Sequence, residues 1–80
     1  MINKMRENLE MLGYTVKIVD DYCIEVRFID YDARFYETLE EKIVVKMFKA
    51  DTEEVVEKRT YKTTKGAIKF MNKILWKDLV

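Results

Sequence analysis

The chain contains no histidine, no serine and no proline, and it has one cysteine, Cys23, and two glycines, Gly13 and Gly66. Histidine is the commonest general base and metal ligand, so its absence removes the usual acid–base and zinc chemistry. A single cysteine provides neither an intramolecular disulfide nor a cysteine-rich zinc site. Neither glycine lies in a phosphate-binding motif, and a serine nucleophile is excluded. We therefore expect a protein that is not an enzyme and that holds no metal and no cofactor.

Carboxylates are plentiful, and a nuclease or glycosidase could use such groups. They occur as adjacent or near-adjacent pairs at Asp20–Asp21, Asp30 with Asp32, Glu40–Glu41 and Glu53–Glu54. Nothing in the sequence fixes two of them at a working separation inside a pocket, as a nuclease or glycosidase requires. Cys23 has no histidine to activate it and is expected to be inert. No catalytic residue is predicted.

Length and composition favour one compact domain spanning residues 1–80. The 80 residues are 49% hydrophobic and 38% charged, which is typical of a globular chain and not of a disordered one. The first residues are charged and lack the apolar stretch of a signal peptide. No apolar run approaches the roughly 20 residues that a membrane span needs. With a single cysteine, these features predict a cytoplasmic protein without membrane contact.

The hydrophobic pattern predicts an α+β fold with the order α-β-β-β-β-α. The predicted elements are a helix over 2–12, strands over 14–19, 22–30, 42–49 and 54–62, and a helix over 65–78. Short connections favour a four-stranded antiparallel meander with the N-terminal and C-terminal helices on one face. The segment 31–41 is compatible with a loop, a helical turn or an extension of the second strand. The predicted core comprises Ile2, Met5, Leu9, Leu12, Val16, Ile18, Ile24, Val26, Phe28, Val45, Met47, Ile68, Met71 and Leu75.

The charge is unevenly distributed along the chain, although the net charge is zero. Residues 20–57 contain five basic and twelve acidic residues, whereas residues 58–80 contain seven basic residues and one acidic residue. The two regions either neutralise each other in the fold or contact different partners.

Lysines recur at every fourth position of the last predicted helix, opposite its apolar face. The candidate nucleic-acid contacts are Lys62, Lys65, Lys69, Lys73 and Lys77. Such a row can follow the phosphates of a nucleic acid. The alternative interpretation is a solvated helix face whose lysines are favoured by the helix dipole.

An acidic and aromatic segment occupies residues 30–41. Aromatic side chains among carboxylates suit a protein interface with a basic partner, while the alternative is that they fold back over the sheet. The candidate protein contacts are Asp30, Tyr31, Asp32, Phe35, Tyr36, Glu37, Glu40 and Glu41.

The C-terminal region TYKTTKGAIKFMNKIL resembles the double-stranded-RNA-binding domain, which places lysines at the start of its final helix. The matching positions are Lys65, Ala67 and Lys69. This resemblance implies contact between that helix and RNA.

The N-terminal third is similar to the start of small type II anti-CRISPR proteins of prophages. The similarity comprises a short helix, the strand Tyr14-Thr15-Val16-Lys17-Ile18, a turn, and a strand from Ile24 to Phe28. Those inhibitors are small α+β proteins that occupy the nucleic-acid-binding surface of a nuclease with carboxylates. Chosen by their chemical character, the corresponding carboxylates here would be Asp30, Asp32, Glu37, Glu40 and Glu41.

Three hypotheses for function follow. The first is a non-enzymatic protein-binding module, of the phage or mobile-element inhibitor type, whose partner is a host nucleic-acid enzyme. The second is a small RNA- or DNA-binding domain that uses the lysines of the last helix. The third is a structural homodimer formed through the side of the sheet around Val44 and Phe48, so monomer and homodimer both remain open.

Overall fold

The computed structural model describes residues 1–77, without the side chain of Lys77. Its elements are α1 (Ile2–Met11), β1 (Val16–Asp20), β2 (Cys23–Arg27), β3 (Tyr31–Glu37), β4 (Ile43–Lys49), β5 (Val55–Tyr61) and α2 (Thr64–Lys77). Asp78, with which the predicted last helix ends, lies outside the described residues. The α+β fold class is confirmed.

The five strands form one antiparallel sheet in the order β1-β2-β3-β4-β5. The predicted meander is correct, but the predicted number of four strands is wrong. The additional strand is β3, which lies at the centre of the sheet and pairs with β2 and β4. Only β1 and β5 are edge strands.

The strand β3 has a weak apolar signal because only Ala33 and Phe35 of its seven residues are buried. Asp32, Arg34 and Tyr36 alternate with them and point to the opposite face of the sheet. Charged and aromatic residues therefore occupy one face of a central strand, which is why the segment also resembled a loop.

Both helices pack on the same face of the sheet. The helix α1 contacts β1, β2 and β3, the helix α2 contacts β4 and β5, and the two helices contact each other. Hydrogen bonds link them at two points: Asn8 Nδ2 donates to Thr64 Oγ1 at 3.1 Å, and Tyr14 Oη donates to Asn72 Oδ1 at 3.2 Å. The core between helices and sheet contains Ile2, Met5, Leu9, Ile24, Val26, Ala33, Phe35, Ile43, Val45, Met47, Ala67, Ile68, Phe70, Met71 and Ile74.

Two residues of the predicted core are exposed. Leu12 follows the last turn of α1 and is 59% exposed, because the helix ends at Met11 and Gly13 turns the chain away at a φ of 95°. Ile18 is 57% exposed because it lies on the edge strand β1, which has a neighbouring strand on one side only. Val16, Phe28 and Leu75 are partly buried against the core.

The opposite face of the sheet is not covered by any helix in the described part of the chain, and we call it the open face. Within residues 1–77, no helix is both long enough and apolar enough to span a bilayer.

Candidate nucleic-acid interface

The helix α2 presents its lysines to solvent because its apolar positions are buried against the sheet. Thr63 begins the helix as its N-cap, since its Oγ1 accepts a hydrogen bond of 3.1 Å from the amide of Gly66. Ala67, Phe70 and Met71 then lie in the core. Successive lysines are four positions apart, so the lysines share the opposite side of the helix.

Lys65, Lys69 and Lys73 are all exposed, and we call them the lysine ridge. They have no ion-pair partner among the described residues, and α2 itself contains no acidic residue. Lys62 is also exposed and precedes the helix. The backbone of Lys77 ends α2, but its side chain is not described. Four of the five predicted contacts are therefore exposed and form no ion pair with a described carboxylate.

A groove of about 710 Å³ separates the lysine ridge from the edge strand β5. We call it the β5–α2 groove, and its cations and aromatic residues are Arg59, Lys69, Lys73, Tyr61, Phe70 and Trp76. No carboxylate from residues 1–76 lines it. A surface that combines cations with an accessible aromatic ring is typical of single-stranded nucleic-acid sites.

The aromatic side chains of this groove are held at different depths. Phe70 is buried, and its ring centroid lies 5.7 Å from that of Tyr61. Tyr61 packs closely on the first turn of α2 because Gly66 has no side chain: a Cβ there would lie 3.0 Å from Tyr61 Cδ1. Trp76 is 60% exposed at the far end of the groove and presents an indole ring to solvent.

On its other side, the lysine ridge borders a groove between α1 and α2. This groove has a volume of about 590 Å³ and is lined by Lys65 and Lys69 together with Met11, Leu12 and Ile68. Met11 is 85% exposed. The lysine ridge winds slowly around α2, so Lys69 borders both grooves.

The structure distributes the predicted protein contacts over several environments. Phe35 is fully buried in the core, and Tyr31 is partly buried against it. Asp32 and Tyr36 lie on the open face. Phe35, as a core residue, is not accessible to a partner in this fold.

The remaining carboxylates of that set lie at two opposite ends of β3. Asp30 is exposed in the turn before the strand, while Glu40 and Glu41 are exposed in the turn after it. Seven residues of strand separate the two turns, which is about 20 Å. Glu37 Oε1 lies 3.0 Å from the Met1 amine and accepts a hydrogen bond of 2.7 Å from the Ile2 amide, and these contacts lower the pKa of Glu37.

Glu25 is the one charged residue that the structure buries in the described part of the chain, with 3% of its surface exposed. Its carboxylate accepts hydrogen bonds from Arg34 Nε at 2.7 Å and from Arg27 Nε at 2.8 Å. Burial raises the pKa of Glu25, but the two guanidinium groups outweigh burial and the net pKa is lowered. The arginines thus hold Glu25 ionised on the open face.

Cys23 lies on β2, on the same side of the strand as Glu25. Cys23 is buried, and burial raises the pKa of its thiol, which disfavours the reactive thiolate. Among residues 1–77, no three histidine, cysteine or carboxylate side chains are placed to share a metal ion.

Sequence reasoning identified the lysines but missed Trp76, Tyr61 and Phe70 as their neighbours. Trp76 follows Lys73 by three residues, a spacing that places both on adjacent parts of one helix side, so this signal was present. Tyr61 and Phe70 could be assigned to the groove only after the packing of β5 on α2 was known.

Comparison of the chain with protein-family models, with curated sequences and with solved structures gives no significant match. The resemblances to anti-CRISPR proteins and to the double-stranded-RNA-binding domain therefore remain predictions.

Proposed function

We propose that this domain binds single-stranded nucleic acid along the surface formed by α2 and β5. One observation carries the proposal: the β5–α2 groove combines Arg59, Lys69 and Lys73 with the exposed ring of Trp76, and none of its described lining residues is a carboxylate. Cations neutralise the backbone phosphates, and an aromatic ring stacks on a base without regard to its identity.

The proposed binding mode assigns separate tasks to the two kinds of residue. The phosphates follow the lysine ridge, and binding releases their condensed counterions, which gives affinity that falls steeply with salt. A base stacks on Trp76, which contributes about 1–3 kcal/mol by the usual magnitude for such contacts. Because the lysines have no ion-pair partner among the described residues, no internal ion pair has to break before a phosphate is bound.

The test is a fluorescence anisotropy titration of a labelled single-stranded oligonucleotide at several salt concentrations. The variant Lys65→Ala/Lys69→Ala/Lys73→Ala removes the lysine ridge. We expect its plot of log affinity against log salt to be shallower by about 2, since each single-strand phosphate contact contributes about 0.7 to the slope. Trp76→Ala should weaken binding by about 5-fold to 100-fold at every salt concentration.

The matched control is Lys4→Ala/Lys42→Ala/Lys49→Ala, which has the same net charge but leaves α2 unchanged. We expect it to retain the slope of the unmodified protein within about one unit. Equal slopes for the two triple variants would show that binding depends on net charge alone, and they would contradict the proposal. A clear preference for duplex RNA would contradict a single-stranded ligand. It would favour the double-stranded RNA that the resemblance of the last helix implies.

A second candidate function is the protein-binding inhibitor of a nucleic-acid enzyme, which one observation favours. The β1–β2 and β3–β4 turns lie side by side, since the Glu37 amide donates to the Tyr22 carbonyl at 2.8 Å. This end of the sheet combines the exposed side chains of Asp20, Asp21, Tyr22, Leu39, Glu40 and Glu41.

Affinity capture from a lysate treated with nuclease tests this candidate. It requires one protein that survives the nuclease treatment, is lost with Glu40→Lys/Glu41→Lys, and is retained by the variant without the lysine ridge. Loss of all captured material on nuclease treatment would contradict it.

A further inference from the structure

The open face presents one charged side chain from each of the five strands in a single row. The pairing register places Lys17 beside Glu25, Glu25 beside Arg34, Arg34 beside Lys46, and Lys46 beside Lys58. We call these five residues the charged row. It crosses the sheet from one edge strand to the other, a width of about 19 Å at the usual strand spacing.

The one carboxylate of the charged row is already neutralised. Glu25 is buried and is shared by two guanidinium groups, those of Arg34 and Arg27. With Asp32 beside Arg27 and Asp20 beside Cys23, the open face has five cations against three carboxylates by register. The open face therefore has an excess of positive charge.

The half of the charged row on β3, β4 and β5 consists of three cations directly opposite one another. Like charges at directly paired positions destabilise a sheet. Cation–π contacts offset part of this repulsion: Arg34 Cζ lies 4.8 Å from the ring centroid of Phe48, and Lys46 Nζ lies 5.2 Å from that of Tyr36. An anion that crosses these three strands along the charged row would offset the repulsion, and Tyr36 and Phe48 flank its path.

The open face and the lysine ridge point in opposite directions because α2 packs on the other side of the sheet. The acidic turns occupy the two ends of the sheet between them, with Asp20, Asp21, Glu40 and Glu41 at one end and Asp30, Asp51, Glu53 and Glu54 at the other. The molecule thus has two separated cationic surfaces.

Building on the proposed function, we propose that the domain bridges two nucleic-acid strands, one on the lysine ridge and a second across the charged row of the open face. A nucleic acid suits the open face because flanking rings accompany the cations, as they do in the β5–α2 groove. Each face binds one strand, so a monomer is sufficient for bridging.

The experiment uses an unlabelled oligonucleotide on beads and a second, non-complementary fluorescent oligonucleotide in solution. We expect the unmodified protein to capture the fluorescent strand on the beads, and we expect capture to fall again when protein is in large excess. Lys46→Ala/Lys58→Ala should reduce capture about 10-fold while still binding the bead-bound strand. Lys4→Ala/Lys49→Ala, with the same change in charge outside both surfaces, should capture like the unmodified protein.

The failures of the two proposals give different results. Capture by Lys46→Ala/Lys58→Ala at the level of the control variant would overturn the bridging proposal and leave the proposed function intact. Binding unaffected by removal of the lysine ridge would overturn the proposed function.

Light scattering measures the oligomeric state, and we expect a monomer. If the protein were instead a dimer that Lys46→Ala/Lys58→Ala dissociates, the open face would bind a second copy of the chain, and bridging by one domain would be overturned. If the open face retained an acidic protein and not the second oligonucleotide, the bridging proposal would also be overturned.

Discussion

At the scale of single residues, Glu25 stands out because it is both charged and buried. It is the one carboxylate that the structure buries in the described part of the chain, and two arginines donate hydrogen bonds to it. Removing one partner of a buried ion pair leaves the other charge without its hydrogen bonds. The resulting loss of folding free energy exceeds the net contribution of the intact pair. Glu25 therefore fixes Arg34 and Arg27 on the open face.

This role predicts a specific dependence of stability on pH. The pKa of Glu25 is lowered from its ordinary value of 4.5. A carboxylate with a lowered folded pKa stabilises the fold above the unfolded pKa, and this contribution is lost as pH falls through the folded pKa. At neutral pH we expect Glu25→Gln to lower the free energy of unfolding by about 1–3 kcal/mol.

Urea denaturation at a series of pH values measures this effect. The difference between the unmodified protein and Glu25→Gln should narrow once pH falls below about 4. Glu7→Gln, on the exposed side of α1, is the control and should change stability by less than about 0.5 kcal/mol. A difference that stays constant between pH 7 and pH 3 would show that Glu25 does not act through its charge.

At the scale of the elements, the helices and four of the strands could be predicted from periodicity, while β3 could not. The apolar residues of α1 and α2 recur at helical spacing, and the predicted start of each helix and the predicted end of α1 lie within one residue of the observed bounds. In β3, however, the open face is occupied by Asp32, Arg34 and Tyr36, whose partners lie on other strands. Whether this segment forms a strand is decided by its pairing with β2 and β4, and the local sequence does not contain that information.

The same reasoning explains which parts of the site could be predicted. The lysine ridge is a property of one helix, so its spacing was visible in the sequence. The charged row draws one residue from each of five strands, and their alignment follows from the registers alone. A four-stranded arrangement without β3 would have lacked Arg34 and would have brought β2 next to β4.

The central position of β3 leads to a prediction for Phe35. Phe35 is completely buried, whereas Leu39, four residues later in the following turn, is fully exposed. Phe35→Ala should lower the free energy of unfolding by about 3–5 kcal/mol, the usual cost of removing a buried aromatic side chain. Leu39→Ala should change it by less than about 0.5 kcal/mol.

Thermal and urea unfolding of both variants provide the comparison. If Phe35→Ala lowered the free energy of unfolding by less than about 1 kcal/mol, Phe35 would not be a core residue, and this result would contradict the central position of β3. A large effect for Leu39→Ala would show that the β3–β4 turn is packed against another part of the chain.

At the scale of the whole molecule, charge is sorted by position although the total is zero. Eight acidic residues lie at the two ends of the sheet, while the lysine ridge and the cations of the charged row lie on its two sides. The acidic middle and the basic C-terminal part of the chain therefore do not cancel by direct pairing, since α2 has no ion pair with any described carboxylate. This sorting is what makes a polyanion bound to the faces electrostatically favourable.

The most direct test of the central claim is the intrinsic fluorescence of Trp76, the only tryptophan of the chain, during titration with a single-stranded oligonucleotide. A base stacked on the indole ring should quench the emission to saturation, with a midpoint that moves to higher oligonucleotide concentration as salt is raised. Lys65→Ala/Lys69→Ala/Lys73→Ala should shift that midpoint further. Binding seen by anisotropy with unchanged Trp76 emission would contradict the assignment of the nucleic acid to the β5–α2 groove.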